Sequence, residues 1–275
     1  MAILTPGNAS AKSAHWYTRL GEPAHRQPKA DGKGDRATTI RDAAKLGLVP
    51  SVTTVLGILD KPALTDWRIN QALKAADASP RDGGESLDYW MKRVKDQSYE
   101  QVTDAADLGS QIHKALENAV QGRDWDQAFA GHVGPVLAWF EKKGLTITAC
   151  EQRVVDLDTG FAGTTDVLFT YGAAGIGILD YKTKKTQPGK KVDAYMEHKC
   201  QLAAYSAAYY GHDRVGDVLA ANLFISSTEP GRLDVVKHDV GSLSEYWDMF
   251  RHLCAVWRTA KGYDPRKVQH QGAKR

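Results

Sequence analysis

The sequence predicts an α/β (α+β) fold, a central mixed β-sheet flanked by helices and preceded by an N-terminal helical segment. Three observations predict it. Apolar residues recur at helical spacing through much of residues 50–144. Three strand-like runs then follow between residues 146 and 183, joined by turns that carry glycine. A helix-patterned stretch separates these runs from two more strands, and mixed orders of this kind fold as a sheet covered by helices.

The 275-residue chain is large for one domain, but one core with added segments accommodates it. Its 42% hydrophobic and 25% charged content is ordinary for a globular protein. It has no apolar run of the roughly 18 residues that a membrane span needs. The start, MAILTPGNAS, lacks the basic-then-apolar pattern of a secretory signal. Cys150, Cys200 and Cys254 are odd in number, far apart and without a CxxC pair. That favours free thiols in a reducing cytoplasm (host cytoplasm for a viral protein) over a disulfide framework or a zinc site. The net charge of +3 conceals +4 over residues 1–50 and +5 over residues 258–275, which leaves −6 between them. Basic ends around an acidic middle suit a polyanion partner and a metal-binding centre, or are two soluble tails.

Residues 1–49 read as a polar, partly disordered segment, with His15, Trp16 and Tyr17 as an anchor onto the domain and residues 28–36 mobile. Order begins at Pro50. Ser51 caps a helix with Val52, Val55, Leu56 and Leu59 on one face, and Pro62 breaks it. A second helix covers about 64–76. After a loop over 79–86, the chain reads helical from 87 to 121, with a break near Ser98. Late in that stretch Gly109, His113 and Glu117 form a ridge beside an apolar face. A helix over 126–143 ends at Gly144. Strands follow at 146–156, 161–170 and 176–183, the first two joined by a tight hairpin at 158–160. After a basic loop come a helix over 194–210, strands over 218–226 and 233–240, and a final helix capped by Ser242 and running to about Lys261. The expected domain covers 50–260, with a helical part over 50–144 and a sheet core over 145–260, and 261–275 form a basic tail.

The chemistry concentrates in residues 160–185. Asp is disfavoured inside a strand unless it has a task, yet Asp166 sits in GTTDVLF. Asp180 ends an apolar run and needs a cation, a metal or donors. Lys182, two residues on, points to the same face. Two carboxylates and a lysine at a sheet edge can hold a divalent metal and a water, and so cut a phosphodiester. A plain Asp–Lys ion pair is the simpler alternative. His113 is a further candidate ligand or an ordinary packed histidine. Glu151 and Glu117 are candidate supporting residues, with Glu151 near the site or in a structural ion pair. Gln201 and Tyr205 lie one turn apart on the helix after the strand. Lys184 and Lys185 are placed to meet phosphates or are solvated.

The segments GTTDVLF, LDYKTKK and QLAAY resemble the PD-(D/E)xK nuclease superfamily, in its RecB-like exonuclease branch. The resemblance spans about residues 50–240. It implies a restriction-endonuclease-like core and maps the branch's motif onto His113, Asp166, Asp180, Lys182, Gln201 and Tyr205, in order. PSVTTVLG resembles the entry helix of phage exonucleases and of the mitochondrial genome-maintenance exonuclease, and Ser51 within it is an expected substrate contact. The implied activity is exonucleolytic DNA hydrolysis with one or two Mg²⁺ or Mn²⁺ ions held by His113, Asp166, Asp180 and the Tyr181 carbonyl. Lys182, Asp180, Asp166 and Gln201 would be the catalytic set, and Tyr205, Lys184 and Lys185 would meet the substrate. Thr165 stands where the motif's name has proline. The cysteines of the iron–sulfur subgroups are missing, so no iron–sulfur cluster is expected. A phage role in recombination or DNA degradation is expected, with a single-strand annealing or recombination protein as partner, and no membrane. An endonuclease of the same superfamily and a non-catalytic DNA-binding protein are the alternatives.

Overall fold

The computed structural model describes residues 15–173 and 175–267, and the side chains of residues 63 and 100–106 fall outside that description. Residues 1–14 of the N-terminal segment and 268–275 of the basic tail therefore lie outside the described residues.

The segment before Pro50 is more ordered than its polarity suggests. Strand β1 (Trp16–Tyr17) leads into a small hairpin of β2 (Arg26–Pro28) and β3 (Asp35–Ala37). Helix α1 (Ile40–Leu46) follows, closed by a capping box between Thr39 and Asp42 and by Gly47 in the left-handed region. Strand β4 (Val49–Pro50) pairs with β1. Trp16 is 1% exposed in the core, so the aromatic anchor is real, and its burial orders the residues around it.

Helix α2 (Val52–Leu56) is a single short turn capped by Ser51. Pro62 begins helix α3 (Pro62–Ala78) rather than breaking one, because a missing N–H is harmless in the first helical turn. Helix α4 (Leu87–Val120) runs unbroken through Ser98, whose hydroxyl donates to the Lys95 carbonyl at 2.7 Å. Helix α5 (Ala130–Lys143) is preceded by a short 3₁₀ turn capped by Asp126.

The central sheet comprises β5 (Thr146–Asp156), β6 (Phe161–Tyr171), β7 (Gly175–Lys184), β8 (Leu219–Ser226) and β9 (Leu233–His238), in that order. Helix α6 (Met196–Tyr210) carries the chain across to β8, which lies parallel to β7, while every other neighbour is antiparallel. This is the expected mixed sheet flanked by helices. Helix α7 (Ser242–Lys261) starts one residue past its Gly241 cap, and Ser242 donates to the Asp239 carbonyl instead of capping.

Strand alternation splits the core into two. Val167, Phe169, Leu179, Tyr181 and Leu223 pack with Ile112, Leu116 and Val133 of α4 and α5. Leu168, Ile178 and Ala220 pack with α2, α6 and α7 on the other face. The C-terminal segment closes the structure. Tyr263 is buried, its hydroxyl donates to the Leu48 carbonyl at 2.6 Å and Arg19 donates to the Pro265 carbonyl at 2.8 Å, so the expected tail packs as far as Pro265.

Candidate active site

The site forms where β6 leaves β7. Their ladder pairs Val167 with Leu179 and proceeds toward the hairpin turn, leaving Asp166 just outside it. The Tyr181 N–H donates to Asp166 Oδ2 at 2.6 Å in place of a strand carbonyl. β7 meanwhile keeps its parallel partner β8 as far as Lys184. Asp166 thus stands in the fork between two diverging strands, where a carboxylate is accessible yet held by a backbone donor.

A cavity of about 560 Å³ opens at this fork. Asp166, Tyr181, Lys182 and Thr183 line it from the sheet. Gly109, Ser110, His113, Lys114 and Glu117 line it from α4, and Glu151 from β5. The His113 ring meets the Tyr181 ring edge-on at 5.7 Å. At Gly109 a Cβ would find Thr183 at 3.7 Å, an ordinary contact, so this glycine keeps the wall low without being sterically required.

Asp180 lies behind this cavity and is 2% exposed. Lys182 Nζ sits 2.6 Å from its Oδ1, and Asn222 Nδ2 donates to its Oδ2 at 2.8 Å. The Asp–Lys pair read from the sequence therefore exists, and Lys182 links it to the cavity it lines.

Glu151 belongs to the site more directly than its sequence suggests. The ladder pairs Cys150 with Val167 and Gln152 with Thr165, so Glu151 stands across from Asp166. It is the one non-glycine residue with positive φ (51°) among the described residues, a conformation that costs a Cβ-bearing residue energy. Burial, then the charges of Asp166 and Glu117, push its carboxyl up to about 7. Burial and the Asp180 charge likewise raise Asp166, against the pull of His113 and Lys182. Among the described residues Glu151 forms no ion pair, which removes that alternative. Glu117 differs. Burial raises it, but Lys114 at 2.7 Å and Arg123 at 2.6 Å outweigh that and leave it below its ordinary value.

Other expected site residues lie elsewhere. Ser51, an expected substrate contact, is 3% exposed, and its hydroxyl accepts from Thr54 N at 3.0 Å as a helix cap. Tyr205, an expected substrate contact, is 4% exposed. Its ring lies against Gly163, where a Cβ would come within 2.5 Å of it, and its hydroxyl accepts from Gln201 Nε2 at 3.2 Å. Gln201 and Tyr205 thus brace the strand that carries Asp166. The Lys184 ammonium lies over the rings of Tyr195 (5.1 Å) and Phe224 (5.7 Å), and Lys185 is exposed. The sequence reading missed Asn222. The signal was an amide inside the apolar strand LAANLFIS, which must find a buried partner.

The donors suit a hard divalent ion in kind: carboxylate oxygens from Asp166, Asp180 and Glu151, and an imidazole nitrogen from His113. Asp166 and Glu151 are raised despite the opposing charges of Lys182, His113 and Lys114, and an ion would relieve that crowding of carboxylates. They do not close into a cage, since among the described residues no three His, Cys, Asp or Glu side chains gather closely enough to hold an ion. Lys182 covers Asp180 instead.

Fold and fork together define a nuclease-type core. The model of the PD-(D/E)XK nuclease superfamily matches residues 121–271, and the chain belongs to that superfamily. No curated protein matches the chain. A solved structure named "Crystal structure of SSO0001" matches with 11% identity and a TM-score of 0.29, covering 70% of this chain and 86% of that one, a likeness on which nothing rests. Nucleases of this superfamily usually use divalent metals. Among the described residues no helix is long and apolar enough to cross a membrane.

Proposed function

We propose that the chain is a metal-dependent DNA exonuclease whose site is the fork at Asp166. The observation that carries this reading is the convergence of Asp166, His113, Glu151 and Lys182 on one cavity, with Asp180 paired to Lys182 behind it. Asp166, Asp180, His113 and the Tyr181 carbonyl would hold Mg²⁺ or Mn²⁺. Such an ion lowers the pKa of a water and offsets charge on a phosphate.

The chain's own residues then have distinct tasks. Lys182 orients the attacking water and donates to a non-bridging phosphate oxygen, leaving Asp180 as it does so. The water oxygen bonds to phosphorus, the bond from phosphorus to the 3′ oxygen breaks, and that oxygen takes a proton. The products are a 3′ hydroxyl and a 5′ phosphate. Exonuclease action, and a role in phage DNA recombination or degradation, rest on the RecB-like motif order that ends in Gln201 and Tyr205. The cytoplasm suits the three free thiols.

Linear and covalently closed circular DNA of one sequence test the reading. An exonuclease degrades the linear form alone. Cleavage of the closed circle makes the chain an endonuclease of the same superfamily. Salt-sensitive binding without cleavage of either makes it a DNA-binding protein.

A further inference from the structure

Behind the fork, three polar side chains cross the sheet in a buried line. Asp180 and Asn222 hold matching positions on the parallel neighbours β7 and β8, and His238 follows on β9. Their exposures are 2%, 0% and 9%. Asn222 Nδ2 lies 2.8 Å from Asp180 Oδ2, and Asn222 Oδ1 lies 2.8 Å from His238 Nε2.

The direction of each bond follows from chemistry. The Asp180 carboxylate, paired with Lys182, only accepts, so the Asn222 amide must turn its NH₂ toward it. That leaves Oδ1 facing His238. An amide oxygen carries no proton, so the imidazole must donate from Nε2. Burial pushes His238 down to about 4, which keeps the ring neutral and fixes it as the Nε2–H tautomer.

Such a line has a cost. An asparagine in the middle of an apolar strand forfeits packing that Val or Leu would supply, and a buried histidine must be desolvated. The gain is directional. Lys182 reaches both oxygens of Asp180 and can leave, whereas Asn222 holds only Oδ2 and is itself held. When Lys182 turns to a phosphate, Oδ1 is the oxygen set free, at a fixed carboxylate rotation.

We propose that Asn222 is a positioning residue for Asp180, fixing Oδ2 so that Oδ1 faces the reaction site, with His238 locking the amide in that orientation. The catalytic part of this proposal rests on the nuclease reading above; the hydrogen-bond line does not.

Two measurements separate them. The first is ¹H–¹⁵N spectroscopy of the histidine side chains in the ion-free protein. The expected result is a slowly exchanging His238 Nε2–H proton that is present in wild type, moves in Asp180→Ala and disappears into fast exchange in Asn222→Leu. An Nδ1–H tautomer, or a signal indifferent to Asp180→Ala, overturns the line whatever the chain's activity. The second is single-turnover DNA cleavage. One hydrogen bond to a charged group corresponds to a fall of about 10- to 100-fold in the rate for Asn222→Leu. DNA affinity should stay within about twofold. His238→Phe should lose about fivefold, and His238→Gln, which can still donate to the amide, should recover most of that. A folded Asn222→Leu with wild-type rate, or equal losses of rate and affinity, overturns the positioning role. A wild-type chain that cleaves no DNA overturns the catalytic part, and the proton resonance still decides the line.

Discussion

Replacing Gly163 by alanine disturbs the packing that sets the Asp166 strand, and the size of the effect can be worked from the contact. A Cβ at residue 163 would lie 2.5 Å from Tyr205 Cε1 and 3.0 Å from its hydroxyl oxygen. Ordinary contact begins near 3.4 Å, so the ring must retreat by about 1 Å. It has little room, being 4% exposed among Phe161, Leu202 and the other residues of the α6 face. Overpacking of this kind costs about 1–3 kcal/mol. A domain of this size loses roughly 2–4 °C of melting temperature per kcal/mol, which gives about 2–12 °C. Retreat also pulls the Tyr205 hydroxyl from Gln201, now 3.2 Å away, and loosens β6 three residues before Asp166. Cleavage should therefore fall with every proposed ion ligand intact. The assay is thermal and urea unfolding of Gly163→Ala, Tyr205→Leu and the double variant. Leucine lacks the ring atoms that clash, so the double variant should be more stable than the two losses summed, by about 1 kcal/mol or more. Melting of Gly163→Ala within about 1 °C of wild type, or strict additivity, refutes the reasoning.

Three further outcomes follow from the same geometry. His113→Ala should weaken divalent-ion affinity at least tenfold while leaving DNA affinity nearly unchanged, as measured by ion titration and by binding in EDTA; equal ion affinity removes His113 from the ligand set. Glu151→Gly should stabilise the ion-free chain by about 1 kcal/mol, because glycine adopts positive φ freely and a raised carboxyl is removed, yet slow cleavage; a less stable variant counts against strain at this residue. Asp264 is held down to about 2, first by the Arg266 guanidinium. Its folded value lies below the ordinary 3.8, so its contribution is full above pH 4 and is lost as pH falls through 2. Asp264→Asn should lower stability at pH 7 and flatten the acid limb between those values; an unchanged acid limb refutes the pairing.

Much of the fold was legible because the sheet obeys a local rule. Strand β5 spans the expected 146–156, and β6 to β9 fall within two residues of expectation, since alternation and glycine turns are written in adjacent residues. Helix α1 and the β1–β4 pair were not legible. Two-residue strands have no period, and they exist because Trp16 buries against residues more than two hundred positions away, Trp257 and Tyr263. The site divides in the same way. Asp166, Asp180, Lys182 and His113 were legible as candidates because charge inside an apolar strand, or beside a glycine on a helix, is visible locally. The burial of Tyr205 and Ser51 was not legible, because a motif names a residue without saying whether it faces solvent. The positive φ of Glu151 and the Asn222–His238 line depend on cross-strand register, which one strand's residues do not encode.

The central claim is a metal-dependent phosphodiesterase centred on Asp166, Asp180 and Lys182. The measurement that tests it most directly is the incubation of end-labelled linear DNA, single- and double-stranded, with the wild-type chain, Asp180→Ala and Lys182→Ala, each in Mg²⁺, Mn²⁺ or EDTA. The account predicts loss of label with wild type in at least one ion, none in EDTA and none with either folded variant. Cleavage that persists in EDTA or in both variants, or its absence from wild type in both ions, would contradict it.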